Sequence, residues 1–109
     1  MQAQNFLQME LPLNIEKIDP LKQMEKAIQD MLDLIWKGVI LHISVKTTKT
    51  LMSQHGKLIA CSNGEACVKV PSLPIFRMAR EKLPDVEAAF KKAFGYNIKV
   101  SLVVGKTHS

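Results

Sequence analysis

Cysteine is nearly absent from this chain. Cys61 and Cys67 are its only two, and they form no CxxC pair. That excludes a disulfide scaffold and the usual zinc-ribbon spacing, and it fits a reducing compartment. Aromatic residues make up only 6% of the sequence (Phe6, Trp36, Phe76, Phe90, Phe94 and Tyr96). Most fall on helical stripes, so they read as core rather than as a platform for stacking bases. No apolar run approaches the ~20 residues that cross a bilayer. No positive side chain precedes the first apolar stretch, as a secretory signal would require. The expected location is therefore the cytoplasm, with no membrane partner.

Groups that could do chemistry are equally sparse. His42, His55 and His108 stand at unrelated spacings, and none forms an i, i+4 ligand pair. There is no GxSxG turn for a nucleophilic serine. Gly105-Lys106-Thr107 resembles the end of a phosphate loop, but that loop needs glycine where Val100 stands, and a following helix. The expectation is a protein with no catalytic residue, no metal and no cofactor.

Length sets the scale of what remains. A chain of 109 residues is long enough for one core and too short for two. Its 47% apolar and 23% charged content is ordinary for a globular domain. The net charge of +5 is unevenly distributed. Six acids and three lysines lie in residues 1–33, whereas twelve bases and four acids lie in residues 34–109. No acid occurs between Asp33 and Glu65. Such a basic half either attracts nucleic acid or an acidic protein surface, or is simply a solvated face.

The local signals are clear after Asp19. Residues 1–18 carry no sustained period and read as an extended arm. Asp19 before Pro20 is a cap followed by proline at the first helical position. Leu21, Met24, Ile28, Met31, Ile35 and Val39 then recur at steps of three and four, widened by Leu32, Trp36 and Ile40. This predicts an amphipathic helix over about 20–43, with Trp36 buried. A short helix over about 47–54 carries Leu51 and Met52 and stops near Gly56. Asn63-Gly64 between two apolar runs predicts a hairpin, because both residues accept positive φ. A two-residue loop pairs Cys61 with Ala66 and Cys67 with Ala60, which puts the thiols on opposite faces and leaves them free.

Phe76, Ala79, Leu83, Val86, Phe90 and Ala93 predict a helix over 75–94, kinked or broken at Pro84. Gly95 is its expected C-cap. Ile98, Val100, Leu102 and Val104 form one face of a last strand. The order α-α-β-β-α-β predicts an α+β two-layer sandwich, a three-stranded sheet with helices on one face. The expected division is an arm at 1–18, one domain at 19–105 and a tail at 106–109. The order is similar to a KH domain, but the glycines offer no Gly-x-x-Gly loop for RNA.

Two stretches carry a resemblance. LIWKGVILHISVKTTKTLMSQHGKLIACSNGEACVKV (34–70) and FRMAREKLPDVEAAFKKAFGYNIKVSLVVG (76–105) resemble the C-terminal domain of the gamma/tau subunit of bacterial DNA polymerase III, in its photosynthetic-bacterial form. The carrying residues are Trp36 with Val39 and Ile40, Thr50 through Gln54, Leu58-Ile59, Lys82-Leu83-Pro84, Glu87 through Phe90, and Ile98 through Val100. They are mostly core positions, so they speak for fold more than activity. The N-terminal domain of the replication initiator DnaA has a similar layout. The resemblance implies a KH-like fold and a docking role that ties a clamp loader to its polymerase. That family's ATPase part has no counterpart in this sequence, so clamp loading by this chain alone is not expected.

The arm gains meaning beside that resemblance. Gln8-Met9-Glu10-Leu11-Pro12-Leu13 looks like the short peptide by which bacterial replication proteins bind the sliding clamp. Gln8 would hydrogen-bond at a pocket rim, while Met9, Leu11 and Leu13 supply apolar contacts. The other reading of the arm is that it folds back onto its own domain. The expected partners are thus replication proteins: a polymerase III subunit, the sliding clamp or the helicase. The alternative is weak nucleic-acid binding, with Lys46, Lys49, Lys57, Arg77, Arg80, Lys91 and Lys92 as candidate contacts.

Overall fold

A computed structural model describes residues 19–105, of which Asp19 is the first. Its carboxylate Oδ1 accepts the backbone N–H of Leu21 at 3.0 Å and of Lys22 at 3.4 Å. These are donors that a helix start leaves without intrahelical partners. Helix α1 then runs Pro20–Leu41. It ends two residues before the expected position because the backbone tightens. His42 N–H donates to Val39 O, and Ile43 N–H to Ile40 O, each closing a three-residue step. The tightened turn still delivers Ile43 to the core.

The remaining elements are α2 (Lys46–His55), β1 (Lys57–Ser62), β2 (Glu65–Val70), α3 (Leu73–Arg80), α4 (Leu83–Phe94) and β3 (Lys99–Val104). The order therefore contains one more helix than the sequence pattern suggested. Pro84 does not merely kink a long helix. Helix α3 stops at Arg80, Lys82 N–H turns back to Ala79 O, and Pro84 sits in the first turn of α4. Proline is tolerated there because a first-turn N–H has no intrahelical acceptor. Within α4, Ala89 is buried beside Val86 and Phe90, whereas Ala93, near the end of the same helix, is exposed.

The sheet has order β1-β2-β3, with β1 antiparallel to β2 and β2 parallel to β3. Asn63 (φ 53°) and Gly64 (φ 78°) form the two-residue hairpin turn. Ala60 pairs with Cys67 and Cys61 with Ala66, as the Asn-Gly loop predicts. Both thiols are free. A shift in register between Leu58 and Ala60 was not foreseeable from the apolar pattern. Pairing β2 with β3 in parallel requires a crossover, which α3 and α4 supply.

The α+β layering follows from which side chains are hidden. Ala66, Val68 and Val70 share the buried face of β2, where they join Leu58, Val100 and the helical residues Val39, Met52, Ala79, Val86 and Phe90. Cys67 and Lys69 alternate onto the opposite face and are half-buried. Trp36 is 6% exposed, and its ring lies 6.1 Å from that of Phe90. Glu87 on α4 accepts the backbone N–H of Val100 at 2.9 Å, so this β3 donor is satisfied by a side chain.

The chain divides into two compact units, residues 1–30 and 31–109, and the boundary falls within α1. The α1 stripe is not core throughout, contrary to its uniform periodicity. Leu32, Trp36 and Val39 are buried, but Leu21, Met24, Ile28 and Met31 are 54–62% exposed. Spacing defines an apolar face but not how much of it is covered.

Candidate functional site

Among the described residues, the fold builds two open grooves within the unit that begins at Met31. The first, about 650 Å³, is lined by Asp33, Trp36, Lys37, Ile40, Leu41, Ser53, Gly56 and Lys57. Its wall depends on close approach at Gly56. A Cβ there would lie 3.0 Å from Met52 O and 3.1 Å from Trp36 Cζ2. The Trp36 indole Nε1–H donates to the Gly56 carbonyl at 3.1 Å, which fixes the ring that closes the groove.

The second groove, about 710 Å³, lies between α2 and α3. Helix α2 contributes Lys46, Thr47, Thr50, Leu51, Gln54 and His55, a three-four repeat that presents one face. Ile75, Met78, Glu81 and Lys82 complete the lining. Leu51, Ile75 and Met78 are its aliphatic and thioether side chains; Leu51 and Ile75 are half-buried, while Met78 is 55% exposed. Thr48, on the far side of α2, is fully buried and donates its hydroxyl to Asp85 Oδ2 at 2.6 Å. That bond joins α2 to the first turn of α4.

Helix α2 starts in an unusual way. Val45 occupies the N-cap and makes no side-chain cap hydrogen bond, and the first turn has no acid. Lys46 and Lys49 stand there instead, facing the positive end of the helix dipole, an arrangement that opposes helix formation by about 0.3–1 kcal/mol per cation near the surface. The start of α2 is therefore electropositive twice over, from its lysines and from its uncapped N–H groups.

The seven candidate cations sit on four elements: Lys46 and Lys49 on α2, Lys57 on β1, Arg77 and Arg80 on α3, and Lys91 and Lys92 on α4. Lys46 and Lys57 line different grooves. Lys92 Nζ donates to Ser44 Oγ at 3.2 Å, and the Arg80 guanidinium lies 5.9 Å from the centre of the Phe76 ring. The candidate clamp peptide, Gln8, Met9, Leu11 and Leu13, lies outside the described residues.

The sequence reading missed the α2–α3 groove. Its residues come from two segments and alternate polar with apolar types, so neither segment stands out by hydropathy. The one available signal was the α2 repeat through Thr47, Thr50, Leu51 and Gln54.

Among the described residues, no three His, Cys, Asp or Glu side chains are grouped to hold a metal ion. Burial pushes the Cys61 thiol above its ordinary pKa, which suppresses the nucleophilic thiolate near neutral pH. His42, in the turn just past α1, has its Nδ1 2.9 Å from the Gly38 carbonyl of that helix. No described helix is long and apolar enough to cross a membrane.

Against known families, residues 23–104 match the model described as STICHEL, DnaA_N-like alpha-beta domain. The chain belongs to this DnaA_N-like family. The match spans every strand and all but the first three residues of α1, so family and fold coincide over the described structure. It identifies a small replication-related domain with the DnaA-type layout. No curated protein and no solved structure matches the chain.

Proposed function

We propose that the chain is a non-enzymatic docking module of the DNA-replication machinery, acting in the cytoplasm and holding a protein partner through its α+β domain. The observation that carries this reading is the DnaA_N-like match across residues 23–104. The gamma/tau resemblance narrows the partner to a polymerase III subunit, the sliding clamp or the replicative helicase. The arm around Gln8, Leu11 and Leu13 is the proposed clamp-binding element, with Pro12 limiting the entropy lost when an extended peptide binds.

Nucleic-acid binding is the second reading. It is favoured by the acid-free stretch from Leu34 to Gly64 and by the lysines at the uncapped start of α2. Purified cognate polymerase III subunit, clamp, helicase and single-stranded DNA, each titrated against the full chain, discriminate the two. The docking reading expects saturable binding to one of the proteins. Binding to DNA alone would replace it with the second reading.

A further inference from the structure

We infer that the groove between α2 and α3 receives an acidic amphipathic segment of the partner protein, with apolar side chains over Leu51, Ile75 and Met78 and carboxylates beside Lys46 and Lys82. This inference rests on the docking reading and names the surface and the chemistry it would use.

Three observations support that occupant. The groove has an aliphatic and thioether strip, and Met78 presents it at 55% exposure. A flexible, polarizable thioether suits contact with a variable apolar face. The rim carries two lysines, Lys46 and Lys82, against the single acid Glu81. Lys46 also stands in the uncapped first turn of α2, where a cation gains nothing from its own helix. A carboxylate from a partner would meet Lys46 and the free N–H groups together, so the feature that opposes helix formation becomes charge complementarity to an acidic ligand. A basic or neutral segment would leave both lysines unanswered.

Four probes test this on the full chain. They are a synthetic helix-forming peptide with leucines at i, i+3 and i+7 and glutamates elsewhere, its lysine counterpart, a scramble of the glutamate peptide, and the cognate replication proteins. Amide and methyl NMR shifts report the site. The glutamate peptide should shift Leu51, Gln54, His55, Ile75 and Met78, and the lysine peptide and the scramble should not. Lys46→Glu with Lys82→Glu should weaken binding by about tenfold or more and favour the lysine peptide. Met78→Glu should abolish it; Met78 is a surface residue, and an unchanged melting curve would show that the fold persists.

No shift in the groove, equal shifts from both charged peptides, or groove resonances that change on simple dilution, as a second copy would cause, each overturns the inference. Replication-protein binding that survives Met78→Glu also overturns it while leaving the docking reading intact. Glutamate-peptide binding in the groove, with no replication protein bound, supports the groove and removes the docking reading's partner class.

Discussion

Thr48 and Asp85 meet across 2.6 Å, a fully buried hydroxyl donating to a half-buried carboxylate 37 residues further along the chain. The bond holds α2 against α4 and so sets one wall of the α2–α3 groove. Thr48→Val keeps the shape and removes the donor. It should cost about 1–3 kcal/mol in urea unfolding, because Asp85 is left without this partner in a partly dry site. Asp85→Asn, which keeps an acceptor oxygen, should cost less. A silent Thr48→Val would show that the bond does not hold the helices.

Trp36 offers a second test, of the core and the first groove together. Trp36→Ala should cost about 3–5 kcal/mol. Trp36→Phe should cost about 1 kcal/mol, the net value of one hydrogen bond to Gly56. Native tryptophan emission should be blue-shifted, and emission already typical of water would contradict the burial.

Cys61 should be slow to alkylate. Burial raises its thiol pKa above the ordinary 9.0. The folded state therefore favours the protonated form. The associated stability is present below the unfolded thiol pKa and is lost as pH rises through the higher folded value. Mass-resolved alkylation should show Cys61 lagging its rate in the unfolded chain at pH near 9, with the gap narrowing at higher pH. Equal rates at all pH values would refute this.

How much the sequence disclosed depended on how local each cause is. Asp19 and Pro20, the Asn63-Gly64 turn with its cysteine register, Gly95 at φ 85° and the interruption near Pro84 are set by neighbours in the chain, and all were legible. The bulge between Leu58 and Ala60 was not, because a strand's apolar pattern does not encode its partner's register. Nor was the exposure of Leu21, Met24 and Ile28, since periodicity gives direction and not coverage. The α2–α3 groove escaped for the same reason: Leu51 and Met78 become one surface only after the hairpin places their helices side by side.

The arm carries a separate prediction. Alanine at Gln8, Leu11 and Leu13 should abolish clamp binding near the micromolar range, about −8 kcal/mol, and leave the melting temperature unchanged. Calorimetric titration with the clamp checks the first part. A variant that melts much lower would show that these residues serve the domain's own core.

The central claim is that this DnaA_N-like domain docks a protein and is not a nucleic-acid reader. The most direct measurement is the salt dependence of binding to the cognate polymerase III subunit and to single-stranded DNA, in parallel from about 50 to 200 mM salt. Contacts to 6–10 phosphates would lose about 10³–10⁵-fold over a comparable range. The account predicts a protein complex that weakens by about tenfold or less, because docking on an apolar strip with two lysine contacts releases few counterions, and DNA binding that is weak and without sequence preference. Tight, sequence-selective DNA binding at physiological salt, with no protein complex, would contradict it.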